Sequence, residues 1–281
     1  MMTSATISKL RQLLRGETLP YSALSESLRE ELISEHLLVV QTNGSHRRLY
    51  AYKPNALQTY LTQHYEELRA LNADSEYGIY RTRAEQAADS GNSKLVQLRS
   101  CPGFMVNSYE PIDGMLCGQH ISVCPSKGSM LFIADWQSFS IPSDVVVVGV
   151  ENMENFRRIK EQRYLFEKLR TKVLFVSRYP QSKDLRLWLM LITNKYIHFG
   201  DFDIAGLHIF ETEFKKYLGD RASFLIPNDI ENRLIHGSIK RYNDQIIRFR
   251  NYTPKDIQIQ PLFQLINHYH RTYDQEGYIE M

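Results

Sequence analysis

The chain has 281 residues, of which 43% are hydrophobic and 23% are charged, and its formal net charge is +2 at pH 7. This composition excludes a disordered, collagen-like or coiled-coil protein, and the length favours two folded units over one. Because the net charge is small, any surface for nucleic acid must be local rather than spread over the whole chain.

The sequence also bears on location and redox chemistry. No run approaches the roughly 20 apolar residues of a membrane span, and the first residues lack the apolar core of a signal peptide. We therefore expect a cytoplasmic protein without a membrane partner. The three cysteines, Cys101, Cys117 and Cys124, form no CxxC pair, which argues against a disulfide framework or a structural zinc site.

Residues 1–75 begin with helical patterns and continue into a hairpin. Apolar residues at helical spacing predict helices over 7–15 and 22–35, and two β-rich stretches then flank Asn43-Gly44, a dipeptide that favours tight hairpins. This order is typical of a winged helix-turn-helix, although any small helical subdomain can end in a hairpin. Basic residues at the tip of a wing would meet DNA phosphates, and here these are His46, Arg47 and Arg48.

Residues 76–143 read as a connector followed by a small β-rich region. The connector is polar and contains Lys94, for which two roles are open: lining a DNA channel between domains, or belonging to an ordinary polar linker. Short apolar pieces between residues 95 and 143 predict small strands packed beside a larger domain. No chemistry is assigned to these strands.

From residue 144 to residue 281 the pattern changes to continuous apolar runs that alternate with helices, and the chain ends in a helical tail. The first helix of this region is expected over residues 151–170. Strands buried on both faces and separated by helices predict an α/β fold with a parallel sheet, whose ligands bind outside the carboxyl ends of the strands. Glu151, Arg178 and the pair Asp201 and Asp203 follow three of these runs.

Three of these residues suggest a metal centre. If Phe202 is extended, Asp201 and Asp203 project from one face of the chain and converge with Glu151 on one cation. Oxygen ligands of this kind suit Mg²⁺ or Mn²⁺, which would promote phosphodiester cleavage. The alternative is that Asp203 only caps the following helix. Arg178 is either a ligand for the scissile phosphate or a surface arginine.

The motifs in this region resemble a known family. VVVVGVEN, with Glu151, and HFGDFDIAG, with Asp201 and Asp203, look like the signature of Toprim domains. Together with E-N-x-x-x-F from Glu151 and D-Q-E at residues 274–276, they resemble the JetD-like nuclease subunits of Wadjet plasmid-defence systems and, more distantly, the A subunit of topoisomerase VI. The resemblance implies that Glu151, Asp201 and Asp203 bind the catalytic metal, and it adds Glu276 as a further catalytic residue.

The resulting hypothesis is a Mg²⁺- or Mn²⁺-dependent endonuclease that cuts double-stranded DNA in defence against plasmids or phage. We expect a homodimer, and because no Walker-type phosphate loop is present, any ATP use would belong to a partner such as a condensin-like ATPase. Two alternatives remain open: a non-catalytic DNA-binding assembly subunit, and a transesterase like the topoisomerase VI A subunit. No tyrosine stands in a motif that aligns with the nucleophile of such a transesterase, so water is the favoured nucleophile.

Overall fold

Two units make up the chain, residues 1–100 and residues 101–281. The division falls within the segment 76–143 that the sequence analysis treated as connector and β-rich region. The computed structural model describes residues 2–44, 46–69, 71, 83–90, 101–179 and 182–280.

The first unit contains helices and a small antiparallel sheet with strand order β1-β3-β2. Its elements are α1 (Ser4–Leu14), β1 (Leu19–Pro20), α2 (Glu26–Ser34), β2 (Leu38–Asn43), β3 (His46–Ala51), α3 (Pro54–His64) and α4 (Arg83–Ser90).

Leucine-rich helical faces form the core of this unit. The predicted first helix is confirmed as α1, whose Ile7 and Leu10 are fully buried and whose first turn is capped by the Thr3 hydroxyl, 3.1 Å from the backbone nitrogen of Thr6. The predicted second helix begins later than expected, because a short 3₁₀ turn at Tyr21–Ala23 precedes α2. The predicted hairpin is present as β2 and β3, which pair from Leu38 opposite Ala51.

The second unit is built on a six-stranded sheet with order β11-β10-β8-β9-β4-β7, beside a separate two-stranded hairpin of β5 and β6. Its strands are β4 (Phe104–Ser108), β5 (Ile112–Leu116), β6 (Gln119–Val123), β7 (Leu131–Ile133), β8 (Val146–Val150), β9 (Val173–Ser177), β10 (Tyr196–Phe199) and β11 (Ala222–Phe224).

The predicted α/β class with a parallel core is correct, since β9, β8, β10 and β11 are parallel neighbours. Val150, the last residue of β8, pairs with Ser177 on one side and with Phe199 on the other. Three strands therefore end level with one another, and the residues that follow them share one edge of the sheet. Strands β4 and β7 continue the same sheet in the antiparallel direction, so it extends to residues that precede 144.

Helices cover this sheet and form most of the tail. They are α5 (Met153–Arg157), α6 (Lys183–Leu191), α7 (Ile204–Ile209), α8 (Lys216–Leu218), α9 (Ile230–Ile235), α10 (Ile239–Arg248) and α11 (Gln260–Tyr269). A π-helical turn at Phe210–Lys215 joins α7 to α8. Within the described residues, no helix has the length and apolar character needed to cross a membrane.

The helix expected over residues 151–170 is wrong beyond Arg157. After α5 the backbone continues as 3₁₀ turns at Ile159–Leu165 and Glu167–Leu169. The buried side chain of Gln162 explains the break, because its amide nitrogen donates to the carbonyl oxygens of Asn155 and Arg158, both at 2.9 Å. In an α-helix those oxygens would accept from the backbone nitrogens four residues later, whereas here they accept from those three residues later, Arg158 and Glu161, both at 3.2 Å.

Candidate metal centre

Glu151 and Arg178 occupy adjacent positions at the carboxyl edge of the sheet. The backbone nitrogen of Glu151 donates to the Phe199 carbonyl at 3.1 Å, and that of Arg178 donates to the Val150 carbonyl at 3.0 Å. The Arg178 guanidinium lies 2.9 Å from Glu151 Oε2, and its side chain is only 9% exposed. Arg178 is therefore a largely buried counter-ion for Glu151 rather than a free surface arginine.

A glycine permits Glu151 to lie against the end of β10. A Cβ atom built on Gly200 would come within 2.7 Å of Glu151 Oε2 and within 2.9 Å of His198 Nε2. Such contacts are too short for a methyl group, so only glycine leaves room for the carboxylate here. Glu151 is thereby held directly beside the residue that precedes Asp201.

Asp203 is almost fully buried and both of its carboxylate oxygens accept hydrogen bonds. Oδ1 accepts from the Gly206 backbone nitrogen at 2.7 Å, and Oδ2 accepts from Gln245 Nε2 at 2.7 Å. The first contact caps α7, which confirms the capping role that the sequence left open. The second contact comes from α10, a helix to which the sequence analysis gave no part in the site.

Asp201 lies at the centre of the acidic residues. Its Oδ1 accepts from the Gln275 backbone nitrogen at 3.0 Å, and its Oδ2 lies 3.2 Å from the Arg241 guanidinium. Burial raises the pKa of Asp201 to about 7, the charges of Asp203 and Glu151 add to the rise, and the Gln275 N–H opposes it. Asp201 is thus close enough to Asp203 and Glu151 for their charges to disfavour its ionised form.

The terminal D-Q-E segment closes this edge of the sheet. Phe202 and Tyr273 exchange backbone hydrogen bonds of 2.9 and 3.2 Å, which carries the segment alongside Asp201 and Asp203. The buried Gln275 accepts from the Asn152 backbone nitrogen at 2.9 Å, and Glu276 accepts from the Asn152 side-chain amide at 2.5 Å. Glu276, carried over from the resemblance, therefore lies beside the residue that follows Glu151.

Several residues of the site were missed or left without a role by sequence reasoning. Arg241 bridges Asp201 and Asp274, while Gln245, one turn later on α10, reaches Asp203. Their spacing of four residues places them on one helical face, which is the signal that the sequence contained. That face becomes informative only when the position of α10 is known.

His198 is a structural residue. It is fully buried among Phe210, Phe214 and Phe224, and its Nδ1 lies 3.1 Å from the Tyr196 hydroxyl. Burial, and then the charge of Arg178, hold the pKa of His198 well below its usual range, so the ring is neutral. It supplies no protonated general acid at neutral pH.

Each of the three carboxylates has protein partners in this structure, and two of them are paired with arginines. Arg178 faces Glu151, Arg241 faces Asp201, and amides occupy Asp203. In the part of the chain that the structure describes, no group of three or more His, Cys, Asp or Glu side chains forms a ready-made metal site. The carboxylate donors of Glu151, Asp201 and Asp203 are nevertheless all oxygen, the ligand type that Mg²⁺ and Mn²⁺ prefer.

The DNA-binding residues predicted in the first unit lie on β3. His46, Arg47 and Arg48 are exposed, but the Arg47 guanidinium stacks 3.7 Å from the Tyr21 ring centre, and Arg48 donates to the Thr18 carbonyl at 3.2 Å. Lys94 lies outside the described residues. The exposed positions of α2 include acidic ones, Glu26 and Glu30, which do not suit contact with phosphates.

Comparison with known proteins adds no relative. No protein-family model matches the chain, and no curated protein matches it significantly. The functional argument therefore depends on the site: three carboxylates, two arginines and the terminal segment at one edge of a parallel sheet.

Proposed function

We propose that the protein is a metal-dependent DNA endonuclease of the Toprim type, with Mg²⁺ or Mn²⁺ as the cofactor. The observation that carries the proposal is that Glu151, Asp201 and Asp203 follow two adjacent strands at the carboxyl edge of the sheet. Burial there raises the pKa of Asp201, and the charges of Asp203 and Glu151 add to the rise. Glu151 is about fifty positions from the two aspartates in the sequence, and ligand sites of α/β sheets lie at this edge.

Each residue has a distinct part in this proposal. Glu151, Asp201 and Asp203 would hold the cation, which when bound polarises the phosphodiester and lowers the pKa of water. Arg178 and Arg241, now paired with two of the carboxylates, carry the positive charge and the donor geometry that phosphate oxygens require. Glu276 and Asn152 fix the loop after β8 and so orient Glu151.

The first unit is proposed to be a winged-helix domain that contacts duplex DNA through β3. Support comes from its element order, in which α1, β1 and α2 precede the hairpin of β2 and β3. Because α2 has exposed glutamates, the hairpin arginines Arg47 and Arg48 are the better candidates for phosphate contacts. Assembly as a homodimer, a role in defence against plasmids or phage and a condensin-like ATPase partner belong to the same proposal.

Plasmid cleavage tests the proposal directly. Supercoiled plasmid is incubated with the protein and Mg²⁺ or Mn²⁺, alone and with products of neighbouring genes, and nicked and linear forms are quantified. Glu151→Gln and Asp201→Asn should each lower the cleavage rate by at least about 100-fold, since they remove charge from the site. Asp220→Asn, which changes an exposed aspartate elsewhere in the unit, should cleave like the wild type.

The outcomes distinguish a hydrolytic nuclease from a transesterase and from a non-catalytic DNA-binding subunit. Intact plasmid under every condition would overturn the nuclease. A protein-linked DNA end in denatured products would indicate a transesterase with a tyrosine nucleophile instead of hydrolysis by water.

A non-catalytic DNA-binding subunit is the second candidate, and one observation favours it. Asp203 caps α7 and all three carboxylates already have protein partners, as expected of a site that only stabilises the fold. In that case Glu151→Gln and Asp201→Asn would leave the biological phenotype unchanged, whereas Arg47→Glu with Arg48→Glu would abolish it.

A further inference from the structure

The segment of residues 157–172, between α5 and β9, concentrates positive charge. It contains seven Lys and Arg residues and two glutamates, an excess of five positive charges in a chain whose net charge is only +2. The remainder of the chain is therefore slightly acidic. Such a local excess is typical of a surface that binds a polyanion.

The 3₁₀ turns of this segment border two adjacent cavities of about 650 and 590 Å³. Asn107, at the end of β4, lines the first cavity, and Tyr109 lines the second, so the two follow one another along the surface. We name this surface the basic groove and define it by its cationic residues Lys127, Arg157, Lys160, Arg163, Arg170 and Lys172.

The six cations of the basic groove form no ion pair with the described residues, and they outnumber the glutamates that line the two cavities, Glu110, Glu161 and Glu167. Arg158, which also lines the first cavity, is compensated by Glu154 at 3.5 Å and by Glu161 at 3.7 Å. In contrast, the described residues provide no acidic partner for exposed Lys127, Arg157 or Lys160. Cations left in water at a concave surface remain available for phosphate oxygens.

The segment that borders the basic groove lies close in sequence to the candidate metal centre. Helix α5 begins two residues after Glu151, and the segment that follows it ends directly before Val173, the first residue of β9. The chain therefore passes from the carboxyl edge of the sheet back to the opposite edge, a distance of about 16 Å for a five-residue strand. Half a turn of duplex DNA spans about 17 Å.

We propose that the basic groove holds the phosphate backbone of duplex DNA that flanks the cleaved bond. This inference rests on the proposed nuclease function, which supplies the DNA, and it assigns duplex binding to the second unit as well as to the hairpin of the first. The contacts are to phosphates, so binding in the groove is independent of base sequence.

Equilibrium binding of the full-length protein to a fluorescein-labelled 30-base-pair duplex in EDTA tests this assignment. The groove variant combines Lys127→Gln, Arg157→Gln and Lys160→Gln. The matched control combines Lys195→Gln, Lys216→Gln and Arg250→Gln, three exposed cations of the same unit outside the groove. Both variants lose three charges, so a difference between them reports position and not net charge.

The groove variant should bind the duplex at least about tenfold more weakly than the control at 0.1 M salt. Its log–log salt slope should be smaller in magnitude by about 2 to 3, since each lost phosphate contact contributes about 0.9. Equal binding by the two variants, or no duplex binding by the wild type, would overturn the groove.

Cleavage by the wild type is scored in parallel. A selective binding loss in the groove variant, together with an inactive wild type, would support the groove while the nuclease proposal fails. If the wild type cleaves DNA and the groove variant binds like the control, the nuclease proposal is supported and the groove proposal fails. The two proposals therefore fail independently.

Discussion

At the scale of single residues, the candidate site depends on one glycine. Gly200 has no side chain, and this absence lets the Glu151 carboxylate lie beside the residues leading to Asp201. A motif with Gly before Asp-x-Asp is visible in the sequence, but the reason for the glycine is a contact with a residue fifty positions earlier. Only the register of β8 against β10 reveals that contact.

Replacing Gly200 by Ala should therefore abolish DNA cleavage, and its contact of 2.9 Å with buried His198 should also lower stability. The new Cβ would lie 2.7 Å from Glu151 Oε2 and would push the carboxylate out of place. Cleavage rates and thermal unfolding are measured together. Gly149→Ala, which would clash with the Tyr196 hydroxyl instead, is the comparison: it should destabilise the protein by about 1–3 kcal/mol. A fully active Gly200→Ala protein would contradict this account of Glu151.

The pKa of Asp201 predicts a pH dependence of stability. The folded-state pKa is raised from 3.8 to about 7, so the folded protein binds the proton more tightly than the unfolded chain does. This proton binding contributes to the free energy of unfolding fully below pH 4, and the contribution is lost as the pH rises through 7. Between pH 5.5 and pH 8 the metal-free protein should lose about 2 kcal/mol through this group.

Denaturant unfolding in EDTA at the two pH values measures the loss. In the Asp201→Asn protein, the loss of stability between the two pH values should be smaller by about 2 kcal/mol, because asparagine does not titrate. An identical pH dependence in both proteins would show that the carboxyl group is not perturbed as described.

At the scale of elements, the terminal segment joins parts of the chain that are distant in sequence. Gln275 is fully buried and bonds to the loop after β8 through Asn152, to Asp201 through its backbone nitrogen and to the Phe199 carbonyl at 3.4 Å. It is therefore a structural clamp on the carboxyl edge of the sheet.

Removing this clamp should affect stability and cleavage together. Gln275→Ala leaves the Asn152 N–H and the Phe199 carbonyl without this side-chain partner, at an expected cost of about 1–3 kcal/mol in the free energy of unfolding. Gln264→Ala, at an exposed position of α11, should change stability by less than about 0.5 kcal/mol. The two variants are compared by denaturant unfolding and plasmid cleavage; equal stabilities would exclude the clamp.

The sequence was informative about elements where periodicity was strong. Continuous apolar runs predicted β8, β9 and β10 and hence the edge that carries Glu151 and Asp201. The helical periodicity gave a wrong prediction after Arg157, where the chain forms 3₁₀ turns and the Gln162 side chain bonds to two backbone carbonyl oxygens. The contributions of Arg241 and Gln245 were also missed. Tertiary packing, and not the local sequence pattern, decides which edge of the sheet a helix approaches.

At the scale of the whole molecule, the distribution of charge matters more than its sum. The net charge of +2 does not indicate a nucleic-acid-binding protein, yet the segment 157–172 alone exceeds it. The sequence pattern predicts a local basic surface in the hairpin and a continuous helix over residues 151–170. The 3₁₀ path of the chain instead aligns these cations along two cavities.

We predict that the protein is a homodimer in solution, as expected for an enzyme that cuts both strands of a two-fold symmetric duplex. Sedimentation equilibrium should give twice the mass of one chain at micromolar concentration, and mixing wild-type protein with Glu151→Gln protein should yield nicked plasmid rather than linear plasmid. A single-chain mass over the whole concentration range, with or without duplex DNA, would contradict this prediction.

The order in which the site is assembled has a consequence for biosynthesis. Glu151 and Asp201 are translated long before Gln275 and Glu276, the residues that fix Asp201 and the loop after β8. A nascent chain on the ribosome, or one truncated before residue 274, lacks these contacts. If the protein is the nuclease proposed above, a chain truncated before residue 274 should bind duplex DNA without cleaving it, because its carboxylates lack these supports.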